Sequence, residues 1–171
     1  QFSAVLLQAH GALGAGEWLR AIGYHETVAG PLDRWRLDSL VRDRPVRVQY
    51  RAGGAWVLNT LALEQVGVDG TTDRAGIERD ASGQPTGRLL GLDRWLRARL
   101  PPRPAPDLAA VGRRLAGYGV TGVTDATPAG SLDDIVVLAA AMKAGDLPQR
   151  VVVTGAPSLA AAEFPSPLVR G

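Results

Sequence analysis

The spacing of apolar and polar residues predicts alternating helices and strands in the first half of the chain. The first apolar residues recur at helical spacing and predict a helix that ends near Gly16 or a little later. A short strand at about Leu19–Tyr24 follows it. Pro31 opens a second helix in "PLDRWRLDSLV". The next segment, "VRVQY" (46–50), alternates as a half-buried strand does.

The middle of the chain contains helix and turn signals. The stretch "GAWVLNTLALEQVGV" (54–68) is interpreted as one helix that stops at its glycine. Turn residues in "GIERDASGQPTGRLL" (76–90) predict a β-hairpin. "LDRWLRARL" (92–100) predicts another helix, and "PPRPAP" (101–106) is the best candidate for a linker. The amphipathic spacing predicts that Trp35 and Trp95 are core residues.

The last third has the clearest pattern. Asp107 is a plausible N-cap for a helix. "GVTGVTDAT" (119–127) and "QRVVVTGA" (149–156) are interpreted as buried strands, and "SLDDIVVLAAAMKAG" (131–145) as a helix opened by its serine. Helices that alternate with β-branched strands favour a parallel sheet or barrel built from βα units.

Composition narrows the class of protein. A chain of 171 residues suits one domain, and 46% hydrophobic with 21% charged residues is typical of globular proteins, which argues against disorder. A net charge of +2, with arginines spread along the chain, favours neither a nucleic-acid nor a membrane partner. The lack of cysteine excludes disulfides and thiolate metal sites and fits a cytoplasmic protein.

Polar side chains follow three of the predicted strands. These side chains are Tyr24, His25 and Glu26 after the first strand, Arg51 after the second, and Thr124, Asp125 and Thr127 after the strand in 119–127. In parallel α/β folds, ligands bind at the carboxyl ends of strands. We therefore expect the three groups to converge on one pocket. The alternative is that each strand end is solvated on its own.

Each candidate residue has a chemical and a structural interpretation. Asp125 follows an apolar strand directly, so it could bind a metal, act as a base or orient a substrate amine, or it could cap its loop through Thr127. His25 could be a ligand or an acid–base group, or a hydrogen-bonded residue at the edge of a pocket. His10, inside the first helix, is interpreted as structural or surface-exposed.

Several well-known motifs are missing from the chain. "VVVTGAP" (151–157) is similar to the first strand of a nucleotide-binding fold, but no G-x-G-x-x-G follows it. Neither a G-x-S-x-G elbow nor a G-x-x-x-x-G-K-[ST] loop occurs. There is no H-x-H pair, and nothing is similar to the bridging lysine of a carboxylated-lysine metal centre.

The order of motifs resembles the amidohydrolase superfamily. The nearest branch contains D-aminoacylase-like and N-substituted-formamide-deformylase-like enzymes (amidohydrolase family 3). The matching segments are Asp43–Val46, Arg51, Trp56–Leu63, Ile77–Gly87 and Gly119–Asp125. The hairpin motif is the most specific of them. This chain departs from the branch at Gly53 and Gly54, where many members carry a histidine.

The resemblance implies an α/β fold: a partial TIM-like (β/α) barrel of a metal-dependent hydrolase with a β-hairpin and helical insertion. Residues 1–171 would form a single segment of the catalytic domain, with the insertion at about 51–104 and barrel βα units at about 105–171. The intact enzyme would hold a divalent metal ion, expected to be zinc. Family order places its ligands before Gln1 and after Gly171, so no metal is expected in this segment.

The resemblance also implies hydrolysis of a C–N bond in a small amide or N-acyl amine. Tyr24, His25 and Glu26 would line the substrate pocket, and Asp125 would lie at the mouth of the barrel. Arg51 would hold a substrate carboxylate, or form a salt bridge or helix-start contact instead. The segment alone is expected to be inactive and to self-associate through open strand edges, and a homo-oligomer is possible. The alternative is a complete, non-catalytic α/β domain that binds a small ligand.

Overall fold

The computed structural model describes residues 2–102, 106–127, 132–154 and 169–170. The chain divides into two compact units, Gln1–Pro101 and Pro102–Gly171, and each is described by itself. The boundary lies at the start of the proline-rich stretch that the sequence suggests as a linker. The division into an insertion and barrel βα units stays a prediction.

The first unit contains five helices and five strands among its described residues. They are α1 (Phe2–Gly11), β1 (Leu19–Tyr24), α2 (Glu26–Ala29), α3 (Arg34–Leu40), β2 (Val46–Tyr50), β3 (Ala55–Leu58), α4 (Thr60–Gln65), β4 (Ile77–Arg79), β5 (Pro85–Leu90) and α5 (Asp93–Arg97). The predicted strands β1 and β2 and the predicted hairpin β4–β5 are therefore confirmed.

These five strands form one mixed sheet in the order β1-β2-β3-β5-β4. Only β1 and β2 pair in parallel, and their register sets Leu19 beside Val46. The β2–β3, β3–β5 and β4–β5 pairs are antiparallel. Parallel pairing in this unit is therefore confined to β1 and β2. The connection from Arg51 to Gly54 is too short to hold the crossover that a parallel pair needs.

Two apolar clusters stabilise the first unit. One is formed by α1, α3, β1 and β2, and its fully buried members include Leu32, Leu37 and Val46. The other joins β3, α4, the β4–β5 hairpin and α5, with Leu58 and Leu89 fully buried. Burial of each such aliphatic side chain contributes about 1.5–3 kcal/mol to the free energy of unfolding.

The single helix predicted for residues 54–68 is wrong, because strand β3 and helix α4 occupy this stretch. Asn59 divides them. Its side-chain oxygen accepts from the backbone N–H of Ala62, 3.0 Å away, and so caps α4. The apolar residues before Asn59 pair with both β2 and β5. Partners distant in sequence therefore override the apparent helical periodicity.

Other differences between the sequence predictions and the structure are smaller. The first helix ends at Gly11 instead of near Gly16, because the glycines that follow favour turns over helix. Trp35 is 44% exposed and stacks under the Arg34 guanidinium, so its assignment to the core is wrong. Trp95 packs against the second apolar cluster.

The second unit is built from α6 (Leu108–Gly117), β6 (Gly122–Asp125), α7 (Leu132–Ala144), β7 (Arg150–Val153) and β8 (Val169–Arg170). The three strands among its described residues are all parallel, in the order β6-β7-β8, as the pattern predicts. Asp107 caps α6 by accepting from the N–H of Ala110 at 2.8 Å. The predicted helix start at Ser131 and the predicted strand residues 155–156 lie outside the described residues.

Strand β6 differs from the prediction of a buried strand. Val123 and Asp125 are half-buried, and the two residues that alternate with them are exposed. By contrast, Val151 and Val153 of β7 are buried under α7. The α/β class is confirmed by both units. Across the described ranges, none of the helices has the length and apolar character needed to cross a membrane.

Candidate functional site

The carboxyl ends of β1 and β2 lie side by side. The backbone N–H of Arg51 donates to the carbonyl oxygen of Tyr24 at 2.8 Å. The Tyr50 hydroxyl donates to Oε1 of Glu26 at 3.1 Å. Parallel pairing of the two strands brings their ends to the same edge of the sheet. Two of the three predicted groups of polar residues are therefore adjacent.

Arg88, on β5, joins this edge and was not predicted from the sequence. Its Nη2 donates to Oε1 of Glu26 and, at 2.7 Å, to the hydroxyl oxygen of Tyr50. Its Nη1 lies 3.8 Å from Oε2 of Glu78, whose Oε1 accepts from the Thr86 hydroxyl at 2.9 Å. We call Glu26, Tyr50 and Arg88 the Arg88 cluster. The sequence feature that could have indicated Arg88 is the position of an arginine within the largely apolar stretch "GRLL" (87–90).

The Arg88 cluster controls the protonation of its members. Hydrogen bonds from Tyr50, and then from Arg88, hold the pKa of Glu26 below its usual value. Burial raises the pKa of Tyr50. Burial lowers the pKa of Arg88, but hydrogen bonds to Tyr50 and Glu26 and electrostatic interactions with Tyr50 and Glu78 outweigh it and leave that pKa raised. At neutral pH Glu26 is therefore an anion and Tyr50 a neutral hydroxyl, and neither is poised as a general base.

Tyr24 supports the same edge from inside. Its ring is buried and packs edge-to-face on Phe2 and Tyr50, with centroid distances of 4.8 and 5.4 Å. Its hydroxyl donates to the carbonyl oxygen of Gly30 at 2.6 Å. Burial raises its pKa. Tyr24 therefore ties the end of α2 to β1 and has its hydroxyl proton already engaged.

His25 is the N-cap of α2. Its Nδ1 lies 3.3 Å from the backbone nitrogen of Thr27 and 2.8 Å from the Thr27 hydroxyl oxygen. The ring is half-buried at the edge of the sheet. The structure thus shows the hydrogen-bonded arrangement that was one of the two interpretations of this residue. The second histidine, His10, lies 3.7 Å from the carboxylate of Asp43, which fits its structural interpretation.

The Arg51 side chain is exposed at the end of β2. Within the described part of the chain, no carboxylate forms an ion pair with it. The guanidinium of Arg88, by contrast, is shared between Glu26 and Glu78. Of these two arginines, Arg51 is the one whose charge is available to an anionic group.

Asp125 ends β6 in the second unit. Its Oδ1 accepts from the backbone N–H of Thr127 at 3.1 Å and from the Thr127 hydroxyl at 2.6 Å. This is the loop-capping interpretation of Asp125. Thr124 is exposed on the same strand. Because both residues belong to the second unit, convergence of all three strand ends stays a prediction.

A cavity of about 430 Å³ lies between α1 and β1 and extends to Tyr24. Its lining is almost entirely apolar and includes Val5, Leu6, Ile22 and Val28. Three of these, Val5, Ile22 and Val28, are largely exposed to solvent. The polar edge of the sheet is therefore next to an open apolar surface.

Among the residues that the structure describes, no three histidine, cysteine, aspartate or glutamate side chains are grouped so that they could hold a metal ion. In the first unit Glu26 is bound by Arg88, and in the second unit Asp125 is bound by Thr127. The described residues therefore do not fit a metal centre.

Comparison with known proteins gives a family and a fold. Residues 4–168 match the family model described as "Amidohydrolase family". No curated protein sequence matches the chain significantly. An uncharacterized metal-dependent hydrolase from Pyrococcus furiosus is similar in structure, with a TM-score of 0.50 and 17% identity over 92% of this chain and 32% of that one. Another from Pyrococcus horikoshii OT3 gives 0.53 and 16%, over 91% and 31%.

The chain therefore spans about a third of the length of these two structures. At 16–17% identity, the likeness concerns the fold. The family model, by contrast, extends over nearly the whole chain.

Proposed function

The chain belongs to the amidohydrolase family, and we propose that it is part of a metal-dependent hydrolase that cleaves the C–N bond of a small amide or N-acyl amine. The observation that carries this proposal is the family match over residues 4–168. The motifs "DRPV", "WVLNTLAL" and "IERDASGQPTG" support the D-aminoacylase-like branch. The proposal includes a partial TIM-like barrel, to which the parallel β6-β7-β8 sheet would contribute.

The proposal assigns a divalent ion, zinc, to the intact enzyme and gives the described residues no part in holding it. They do not fit such an ion. The two similar hydrolase structures are about three times as long as the part matched here. In this proposal, the present chain contributes the substrate side of the active site, and its 171 residues have no hydrolase activity alone.

The polar edge of the first unit supports a substrate with an anionic group. Arg51 is exposed and forms no ion pair with any described residue, so its guanidinium suits a carboxylate through two parallel hydrogen bonds. The Arg88 cluster fixes the ends of the strands on which Tyr24, His25 and Arg51 lie. The adjacent cavity of about 430 Å³ would accept an apolar acyl group. An N-acylated amino acid combines these features.

The same proposal covers the binding partner, the cellular location and the oligomeric state of the protein. Its partner is a small molecule, with neither nucleic acid nor membrane involved, because a net charge of +2 spread over the chain provides no concentrated basic surface. A cytoplasmic location is supported by the lack of cysteine. Homo-oligomer formation is supported by the exposed apolar surface beside β1.

The test uses the intact protein that contains this chain. It should hydrolyse N-acyl amino acids, lose activity on treatment with a chelator and regain it with zinc. Arg51→Gln should raise KM roughly 10-fold for substrates with a carboxylate and leave KM for uncharged amides unchanged. Arg113→Gln, at an exposed arginine of α6, is the matched control. The isolated 171-residue chain should neither hydrolyse these substrates nor retain zinc after dialysis.

Two results would overturn the proposal. If the intact protein binds N-acyl amino acids without ever hydrolysing a C–N bond, the non-catalytic binding domain becomes the better description. If the isolated chain retains one zinc ion per molecule after dialysis, metal ligands must lie within the 171 residues.

A further inference from the structure

The contacts of His25 determine where its ring carries a proton. The Thr27 backbone N–H can only donate a hydrogen bond, and it points at Nδ1 of His25. Nδ1 must therefore offer a lone pair. The Thr27 hydroxyl, 2.8 Å from the same nitrogen, can donate to it as well. A neutral imidazole has a single N–H, so the proton of this ring is on Nε2.

From this tautomer we propose that His25 is a fixed hydrogen-bond donor, which presents Nε2–H to a carbonyl oxygen of the amide substrate. This inference rests on the proposed amide-hydrolysing function. No described residue accepts a hydrogen bond from Nε2. The ring is half-buried directly after β1, at the edge of the sheet that also carries Arg51.

The surroundings of His25 hold this donor in place before any substrate binds. The two contacts with Thr27 fix the plane of the ring. The next residue, Glu26, is bound by Arg88 and Tyr50. A donor that needs no reorientation stabilises developing negative charge on a carbonyl oxygen more effectively than one that must first be ordered.

The same tautomer excludes two other roles for His25 in its neutral form. A general base needs an available lone pair, and the lone pair on Nδ1 is occupied by Thr27. A metal ligand through Nε2 would need that nitrogen to be unprotonated. His25 and Arg51 would bind different groups of the substrate because their charges differ. A neutral N–H suits an amide carbonyl, and a guanidinium suits a carboxylate.

The tautomer can be measured on the 171-residue chain itself. Long-range proton–nitrogen correlation spectra of the ¹⁵N-labelled chain, recorded at a pH where imidazole is neutral, distinguish the two ring nitrogens. We expect an unprotonated Nδ1 and a protonated Nε2 for His25. His10 serves as the internal reference. A spectrum with the proton on Nδ1, or an even mixture of the two forms, would overturn the inference.

The role toward substrate is tested in the intact enzyme with two substitutions. His25→Asn keeps an acceptor for the Thr27 N–H and removes the outer donor, whereas His25→Gln restores an N–H near the position of Nε2. His25→Asn should lower kcat by roughly 10²-fold without changing the melting temperature, and His25→Gln should recover part of that loss.

The outcomes separate this inference from the proposed function. If the intact protein hydrolyses amides and His25→Asn is as active as the unsubstituted enzyme, the donor role is wrong and the proposed function stands. If the intact protein hydrolyses no amide, the proposed function is wrong and the donor role toward an amide substrate is wrong with it.

Discussion

A carboxylate at the end of a strand has different kinds of hydrogen-bond partner in the two units. Glu26, after β1, is held by Tyr50 and Arg88, which lie 24 and 62 residues further along the chain. Asp125, at the end of β6, is held by Thr127, only two residues away. The first carboxylate is part of a tertiary network, and the second is the cap of its own loop. Similar sequence contexts therefore do not imply similar structural roles.

Buried amide side chains show the same contrast. Asn59 in the first unit makes four hydrogen bonds, to backbone groups of α4 and of the segment that leads into β2. Gln149 in the second unit donates to two carbonyl oxygens, and its own Oε1 is buried with no hydrogen-bond partner among the described residues. Of these two buried amides, Asn59 is therefore the more completely hydrogen-bonded.

The largest expected loss of stability comes from substituting Asn59, and it tests the contrast with Gln149. Asn59→Ala leaves four buried backbone groups without partners, and we expect it to lower the free energy of unfolding of the first unit by about 4 kcal/mol. Gln149→Ala should cost about 1–2 kcal/mol in the second unit, because only two carbonyl oxygens lose a donor and the unsatisfied Oε1 is removed with it. Hydrogen exchange measured by mass spectrometry reports on the two units separately.

Asn59→Asp provides the control for the larger effect. It keeps an acceptor for the two N–H groups and loses the donation to the carbonyl oxygens of Val41 and Arg44. A loss below about 1 kcal/mol for Asn59→Ala would mean that water satisfies these groups. The contrast between Asn59 and Gln149 would then be wrong.

An intermediate loss of stability is expected when either of two glycines is substituted, because another backbone segment lies close to each of them. A Cβ at Gly87, which has φ +92°, would lie 2.4 Å from the carbonyl oxygen of Leu58. One at Gly112 would lie 2.2 Å from that of Asp146. Gly87→Ala should cost about 3 kcal/mol from clash and backbone strain. Gly112→Ala should cost about 1–2 kcal/mol, because alanine favours helix α6 and offsets part of the clash.

Gly53→Ala is the control for these variants. Comparing its urea unfolding with that of Gly87→Ala separates the cost of backbone strain from the cost of the steric clash. Gly53 also has a positive φ, of +89°, but its Cβ would meet nothing within 4 Å. It should therefore cost only about 1 kcal/mol. Equal losses for Gly53→Ala and Gly87→Ala would show that contact with Leu58 contributes nothing.

The smallest effect concerns pH. Because the pKa of Glu26 is lowered by folding, its contribution to stability is present above its ordinary value of 4.5 and is lost as pH falls through the lowered pKa. The melting temperature of the unsubstituted chain should therefore exceed that of Glu26→Gln at pH 6–7, and the difference should shrink below pH 4.5. Asp125→Asn should change stability by less than about 0.5 kcal/mol. A constant Glu26→Gln difference from pH 7 to pH 3 would contradict the ionic origin of this effect.

Local signals were sufficient for much of the fold and for part of the site. The strand β2, the hairpin β4–β5 and the cap at Asp107 follow from period-two alternation, turn residues and a side chain that bonds three residues ahead. The possibility that Asp125 caps its loop was visible from Thr127, because both partners lie within three residues.

The sequence by itself thus determined those features whose cause lies within a few residues of the chain. Only the tertiary structure decided that Asn59 divides a strand from a helix, that Trp35 is exposed, and that Arg88 meets Glu26. In each case the outcome depends on strand pairing or on a partner tens of residues away. The physical reason is that hydrogen bonds and charges act through space over a few ångströms, and separation along the chain does not reveal which groups come that close.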